Sequence, residues 1–311
     1  MKLVFCGTPE FAVPTLEAVL AAGHSVELAV TQPDRPSGRG MELSIPPVKR
    51  TALLHRIPVV QPEKIKNNAE FRARLESILP DAILVVAYGR IIPKWMLDLP
   101  PLGNINLHAS LLPKYRGAAP IQWAIAMGDH ETGATTMRID EGLDTGDMLL
   151  QSVLSVDPSQ TAVDVLPLLS KRGAALMVET LAGLAAGTIT PSRQDENKAT
   201  LAPILKREDG IIDFARSAEE IFNRWRGFQP WPGAYTKLRG KKLVISRMAL
   251  APQIEGSAEP GEMRIESGRW YIACGGNTWI EVLEAQLEGK KRMPAADFLR
   301  GHSLQCGEKI K

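Results

Sequence analysis

The sequence predicts an open α/β domain with a mostly parallel sheet, followed by a smaller all-β domain. Apolar runs suited to buried strands alternate with helix-like segments over residues 2–187, which is typical of α/β domains. A polar stretch with two prolines and no clear period follows at 188–209, and short strand-like runs come after it. We therefore predict a first domain at 1–188, a linker at 189–206 and a second domain at 207–311.

The first strands and helix are clear from their composition. KLVFCG at 2–7 reads as a buried strand, and residues 11–23 read as a helix that ends at Gly23. SVELAVT at 25–31 predicts the next strand. AILVVAY at 82–88 is a continuous apolar run, as expected of a strand that is covered on both faces of a parallel sheet.

The rest of the first domain continues this alternation. Strands are predicted at 104–109 and 134–139, with a helix between them at 118–128. A long helix over 161–187 closes the domain, and Gly187 is a suitable stop.

The second domain begins with a short helix near Ala218–Arg226. Spaced strand-like runs follow, which predicts a small β-barrel or sandwich; these runs are 234–238, 242–250, 269–276 and 278–288.

Composition excludes several protein classes. A hydrophobic content of 44% and a formal net charge of +2 are those of an ordinary globular chain rather than a global polycation. No apolar run approaches the roughly 18 residues of a spanning helix, and the amino end has no signal-like segment, so we expect no membrane association. The three dispersed cysteines show no metal-ligand spacing and favour a reducing compartment, the cytoplasm.

Three polar residues mark a candidate active site. Asn106 and His108 are two apart on a predicted strand, so their side chains point to the same face at its carboxyl end. Asp144 lies between two glycines in a loop after the next strand. An amide, an imidazole and a carboxylate suit proton transfer and oxyanion stabilisation, whereas a structural histidine and a turn-forming aspartate are the alternative interpretation.

Another loop argues against a nucleotide-dependent oxidoreductase. GTPEF at 7–11 joins the first strand to the first helix, where a dinucleotide site has G-x-G-x-x-G. Only one glycine is present, so the NAD-binding pattern fails.

Basic residues concentrate in the second domain. Residues 237–247 hold five basic groups and no acidic one, and Lys290, Lys291 and Arg292 form a further cluster. A hairpin that presents these cations together could bind a phosphate backbone, or it could be a solvated edge on which lysines prevent strand pairing.

Several motifs resemble the formyltransferase family that uses 10-formyltetrahydrofolate. They are N-x-H at 106–108, SLLP at 110–113, YRGAAPIQWAI at 115–125 and DEGLDTGD at 140–147. TQPDRPSGRG at 31–40 and NRWRGFQPWPGAY at 223–235 resemble, more narrowly, the members that act on methionine-charged initiator tRNA.

The resemblance implies a Rossmann-like first domain, an OB-like tRNA-binding barrel and a role for each matching residue. Asn106, His108 and Asp144 match the catalytic trio, and 110–113 matches the folate-lining segment, with 10-formyltetrahydrofolate as formyl donor and no metal. The implied folate contacts are Ser110, Leu111, Leu112 and Pro113. The implied tRNA contacts are Arg35, Arg39, Lys49, Lys206, Arg239, Lys241 and Lys242.

The function implied is formyl transfer to the α-amine of methionine on initiator tRNA by a cytoplasmic monomer. The alternatives are a formyltransferase for a small amine such as glycinamide ribonucleotide, a hydrolase of formyl-folate, and a non-catalytic tRNA-binding protein. The basic second domain argues against the small amine, and the intact trio argues against the binding protein.

Overall fold

A computed structural model of the chain describes residues 1–37 and 42–310. The chain divides into two compact units. Unit 1 comprises residues 1–120, 131–155 and 164–203, and unit 2 comprises 121–130, 156–163 and 204–311. Most of the predicted linker, 189–206, groups with unit 1. The domain ranges proposed from the sequence stay a prediction.

Strands and helices alternate along the chain up to Ala186. The strands are β1 Lys2–Gly7, β2 Ser25–Val30, β3 Arg35–Ser37, β4 Glu42–Ser44, β5 Val59–Val60, β6 Ala82–Val86, β7 Asn104–His108, β8 Glu131–Arg138 and β9 Met148–Ser155. The helices are α1 Val13–Ala21, α2 Pro47–Leu54, α3 Ala69–Ile78, α4 Lys94–Leu97, α5 Pro120–Ala126 and α6 Ala162–Ala186.

The sheet of unit 1 has seven strands in the order β5-β2-β1-β6-β7-β8-β9. Neighbours from β5 to β7 are parallel, whereas β8 and β9 are antiparallel additions. Strand order reverses between β1 and β6. The carboxyl ends of parallel strands at such a switch point form the crevice in which open α/β sheets bind ligands.

Buried apolar side chains explain the central strands. Every residue of β6 is buried, as the continuous run AILVV predicts for a strand covered on both faces. Cys6 of β1 stands in register between Val30 of β2 and Val85 of β6, and all three are buried. The predicted fold class of this part, a Rossmann-like and mostly parallel sheet, is confirmed.

Three helices of unit 1, the single-turn α4 and the longer α2 and α3, are absent from the sequence-based prediction. The helix α2 begins at Pro47 after another proline, and three of its residues are buried. The helix α3 begins where the Asn68 side chain accepts a hydrogen bond from the Phe71 N–H (3.0 Å). Both helices are short and bury only two or three residues each, so their helical period is weak.

The elements after residue 204 are α7 Ala218–Gly227, β10 Tyr235–Leu238, β11 Lys241–Leu250, β12 Met263–Glu266, β13 Arg269–Cys274, β14 Thr278–Leu287, β15 Met293–Pro294 and α8 Ala295–His302. Their strands form an antiparallel sheet in the order β10-β11-β14-β13-β12, with β15 paired to β14. Trp270 and Phe298 are fully buried and stack at 5.2 Å between ring centroids. The predicted small β-domain is confirmed. The helix α8 is absent from the sequence-based prediction, and its residues Ala295 and Phe298 are part of the core of unit 2.

A tight turn shapes the predicted basic hairpin. Arg239 and Gly240 both have positive φ (48° and 79°), as a type I′ turn requires between twisted antiparallel strands. The resulting register places Lys237 opposite Lys242 and Leu238 opposite Lys241. Two lysine side chains are thereby held side by side on one strand pair.

In the part of the chain that the structure describes, none of the helices combines the length and the apolar character needed to cross a bilayer.

The capping box of α7 gives a first testable prediction. Ser217 Oγ accepts from the Glu220 N–H (3.2 Å), and the Glu220 carboxylate accepts from the Ser217 N–H (3.0 Å). We expect Ser217→Ala to lower the free energy of unfolding by about 1 kcal/mol in urea titrations. Exposed Ser257→Ala in the same unit is the control, and equal midpoints for both variants would contradict the capping role.

The same pair predicts a pH dependence. The hydrogen bonds from Ser217 hold the pKa of Glu220 below its usual range. The capping stabilisation is therefore present at neutral pH and is lost as pH falls through the lowered pKa.

Candidate active site

The strand β7 supplies two residues of the candidate site. Asn106 and His108 are separated by one residue near the carboxyl end of β7, so the strand period directs them to the same face. His108 is buried and Asn106 is partly exposed. Among the described residues, none bonds to the side-chain amide of Asn106, which leaves it available to a polar ligand.

The two ring nitrogens of His108 have different surroundings. Nε2 lies 2.8 Å from the Tyr115 carbonyl oxygen, which can only accept, so Nε2 carries a proton and donates it. Nδ1 lies 3.7 Å from Asp144 Oδ2, beyond hydrogen-bond distance. In the neutral ring Nδ1 therefore holds the lone pair, and a protonated ring has a carboxylate beside its new charge.

The loop that carries Asp144 is held by hydrogen bonds within it and by one from Gly117. Asp140 accepts hydrogen bonds from the Thr145 hydroxyl (2.8 Å) and the Gly142 N–H (3.0 Å). Asp144 adopts a left-handed backbone conformation (φ 52°), which aspartate tolerates better than most residues. Its Oδ2 accepts from the Gly117 N–H at 2.8 Å, so the oxygen that faces His108 is fixed in place.

The predicted folate-lining segment, Ser110–Pro113, follows β7 directly. The Ser110 hydroxyl is buried and donates to the Lys114 carbonyl (2.6 Å), so it points into the loop. Leu112 is also buried, and its N–H donates to Thr135 Oγ1 (3.2 Å). Leu111 and Pro113 are partly exposed. The segment is a fixed loop beside His108, and its folate contacts stay a prediction.

The predicted tRNA-binding cations of unit 1 differ in their surroundings. Arg35 is exposed on β3, and Arg39 lies outside the described residues. Lys49 donates to Asp34 (2.6 Å) and to Gln61 Oε1 (2.7 Å). The bond from Lys49, together with one from Gln61 Nε2 to Asp34 Oδ1 (2.7 Å), holds the pKa of Asp34 below its usual range. The structure therefore gives the Lys49 ammonium a partner within the chain, which the sequence pattern does not reveal.

The predicted tRNA-binding cations of unit 2 also differ in their surroundings. Lys206 and Lys241 are exposed, and the Lys242 ammonium lies 3.8 Å from the Tyr235 ring centroid. Arg239 instead binds both carboxylate oxygens of Glu308 at 2.7 Å. Its charge is used to hold the carboxyl-terminal segment.

Two further side chains support the site and are missed by the sequence analysis. Arg116 and Gln194 bond to each other and flank the loop of Asp144. Arg116 lies within the quoted motif YRGAAP, but Gln194 lies in the stretch that composition assigns to a linker. An amide, a histidine and a carboxylate held in this way can move a proton and stabilise negative charge on an oxygen.

Two family profiles match the chain. One, described as formyl transferase, matches residues 1–181, and the other, the formyl transferase carboxyl-terminal domain, matches residues 204–303. The chain belongs to the formyl transferase family. The resemblance on which the sequence analysis relies is confirmed.

Curated relatives match over nearly the full length. The methionyl-tRNA formyltransferase of Acidobacterium capsulatum is 72% identical over 304 residues, covering 98% of this chain and 97% of the relative. The methionyl-tRNA formyltransferase of Koribacter versatilis is 61% identical over 310 residues, covering 100% of this chain and 98% of the relative.

A solved structure supports the fold. A sugar 3N-formyl transferase, crystallised in the presence of dTDP and 5-N-formyl-THF, matches with a TM-score of 0.65 at 20% identity. The match covers 94% of this chain and 99% of that one.

The backbone around Gly146 leaves no room for a side chain, which gives a testable prediction about the loop of Asp144. A Cβ at Gly146 would lie 1.9 Å from the Arg138 carbonyl oxygen, so Gly146→Ala must displace the loop that carries Asp144. We expect the rate of formyl transfer to fall by about tenfold, because small misplacements of catalytic groups are costly. The control is Gly301→Ala, where a Cβ meets no atom within 4 Å. Equal rates for both variants would show that the loop tolerates the shift.

Proposed function

We propose that this chain transfers the formyl group of 10-formyltetrahydrofolate to the α-amine of methionine on initiator tRNA. The observation that carries the proposal is His108, held between Tyr115 and Asp144 in a formyl transferase domain. The near full-length identity to methionyl-tRNA formyltransferases supports the acceptor.

The reaction needs proton transfer and charge stabilisation, and no covalent enzyme intermediate. The amine attacks the formyl carbon, the bond from that carbon to N10 breaks, and the proton lost by the amine ends on N10. The carbonyl oxygen carries negative charge in between. Oriented hydrogen-bond donors at that oxygen are typically worth on the order of 10²–10³-fold in rate each.

The geometry suggests a role for each residue of the trio. Nδ1 of His108 accepts the amine proton, since Nε2 is already occupied by its bond to Tyr115. Asp144 stabilises the resulting imidazolium across the 3.7 Å separation. Asn106 donates an amide N–H to the developing oxyanion, a role that its unbonded amide permits.

The folate fits the loops that follow β7. Leu111 and Pro113 offer partly exposed apolar surface beside the buried His108. The hydroxyl of Ser110 is bonded within the loop, so we assign Ser110 to shaping the segment rather than to contacting the folate directly.

The cations of unit 2 suit a phosphate backbone. Lys242 is partly desolvated and lies near Arg207, and burial and this neighbouring charge lower its pKa. An anion bound between them would relieve the repulsion. We assign phosphate contacts to Lys206, Lys241 and Lys242, with Arg35 contributing from unit 1.

We also propose that the protein acts as a monomer in the cytoplasm, the compartment of its charged tRNA substrate. Light scattering coupled to gel filtration should then give a mass near 34.0 kDa.

A substrate comparison tests the function. The purified protein is mixed with 10-formyltetrahydrofolate and, separately, methionine-charged initiator tRNA, uncharged initiator tRNA or glycinamide ribonucleotide. We expect free tetrahydrofolate only with charged tRNA, in step with formyl-methionine. Release with the small amine alone would assign another acceptor, release in every mixture would indicate a hydrolase, and release in none would favour a binding protein.

A further inference from the structure

The segment 192–202, which we call the strap, lies along unit 1 and joins both loops of the active site. At one end Ser192 exchanges backbone hydrogen bonds with Met148 (2.8 and 2.9 Å), four residues after Asp144. At the other end Ala202 N–H donates to the Arg116 carbonyl (2.7 Å). A segment whose composition reads as a linker is thus bonded into the catalytic unit.

Gln194 is the side chain of the strap that reaches the loop of Asp144. Its amide nitrogen donates to the carbonyl oxygens of Asp144 (2.8 Å) and Gly146 (2.7 Å). Its oxygen accepts from Arg116 Nε (2.9 Å). Both amide hydrogens and the amide oxygen are therefore used, and all three bonds need the geometry of a glutamine.

Arg116 links this bond to the other side of the site. Its guanidinium is buried and forms a two-pronged pair with Glu196 of the strap (2.7 and 2.9 Å). The pairing holds the pKa of Glu196 below its usual range, so the pair persists at neutral pH. Arg116 follows Tyr115, the acceptor for His108, and precedes Gly117, the donor to Asp144.

The strap also holds the Tyr115 backbone. Thr200 Oγ1 accepts from the Tyr115 N–H (2.8 Å), and the Thr200 carbonyl accepts from the Arg116 N–H (2.8 Å). Tyr115 has a left-handed backbone (φ 61°), which is costly for an aromatic residue and persists only where neighbouring bonds hold it. The orientation of its carbonyl toward His108 depends on these bonds.

We propose that Gln194 is a positioning residue for formyl transfer, which sets the separation of Asp144 from His108 by holding the Asp144 backbone. The proposal rests on the function proposed above. Asp144 has a left-handed backbone and follows three exposed residues of its loop, and the side chain of Gln194 bonds its carbonyl. Without it, water competes for both carbonyls, and the Gly117 N–H alone holds the carboxylate near Nδ1.

The test compares Gln194→Ala with Asn197→Ala, an exposed amide in the same strap whose side chain reaches neither loop. We measure kcat, the KM of each substrate and the melting temperature. For Gln194→Ala we expect kcat to fall by 10- to 10²-fold, on the order expected for misplacement of a catalytic group. We expect both KM values to stay within about threefold of wild type, and Asn197→Ala to match wild type.

A double variant separates positioning from a general structural effect. If Gln194 acts through Asp144, then Gln194→Ala combined with Asp144→Ala is no slower than Asp144→Ala alone. If the Gln194→Ala chain does not fold, Gln194→Glu replaces it in both experiments. That variant keeps the size and the acceptor for Arg116, but turns a carboxylate toward two carbonyl oxygens.

Three results would overturn the proposal. They are a kcat of the Gln194 variant equal to that of Asn197→Ala, a rise in KM with kcat unchanged, and losses from Gln194 and Asp144 that multiply in the double variant. A wild-type protein without activity on charged tRNA would instead overturn the proposed function, and with it this inference.

Discussion

Replacing His108 by alanine is expected to reduce kcat by at least 10²–10³-fold while leaving tRNA affinity within about twofold. The variant removes the imidazole, which is the proton acceptor of the proposed mechanism. His108 is buried on β7 in unit 1, whereas the proposed phosphate contacts are mostly in unit 2. The chemical step and tRNA binding should therefore separate.

Single-turnover rates and filter-binding affinities check this prediction. Asp144→Asn keeps the shape and the bond from Gly117, but it removes the charge beside Nδ1, so it should also lower the rate with little effect on binding. The exposed His55→Ala is the matched control for loss of an imidazole. If His108→Ala weakened tRNA binding as strongly as it slowed transfer, the division of roles would be wrong.

The sequence predicts the central strands well because burial leaves a strong signature. The runs at 2–7 and 82–88 contain few or no polar residues, and each corresponds to a buried strand within two residues. The long helix is observed at Ala162–Ala186 against a predicted 161–187, since Gly187 with φ 66° ends it. Long and strongly apolar elements can be predicted because their own residues are enough to indicate them.

Elements that depend on partners elsewhere are harder to predict. The strand β9 alternates partly buried and exposed residues as the edge strand of the sheet, and it pairs antiparallel to β8. A purely local pattern does not show whether such a strand belongs to the sheet or to a loop. The helix α3 depends on its Asn68 cap and two buried residues, too few for a clear period.

Some residues of the candidate site can likewise be predicted from the sequence, and others cannot. The separation of Asn106 from His108 follows from the period of one strand, and the glycines beside Asp144 mark its loop. The partners of Gln194 are 78, 50 and 48 residues away along the chain. Its neighbours are polar and aperiodic, so composition predicts a linker. Only the folded chain brings this amide to the Asp144 loop.

The strongest effect on tRNA binding is expected from reversing two charges, Lys241→Glu with Lys242→Glu. The logarithm of the affinity for a phosphate backbone falls linearly with the logarithm of the salt concentration, with a slope of about 0.9 per neutralised phosphate. Loss of two contacts at about 0.1 M salt therefore corresponds to an affinity loss on the order of 10²-fold. The plot of log affinity against log salt should become shallower by about two, with kcat at saturating tRNA nearly unchanged.

The local structure supports choosing this pair. The type I′ turn at Arg239–Gly240 fixes the start of β11, and Lys242 lies over the Tyr235 ring with its charge near Arg207. The control is Lys64→Glu with Lys66→Glu, an exposed pair in unit 1 that gives the same change in net charge. Equal losses in both double variants would show that tRNA responds to net charge alone. A loss confined to the hairpin, with a matching change in salt slope, would locate the phosphate contacts on unit 2.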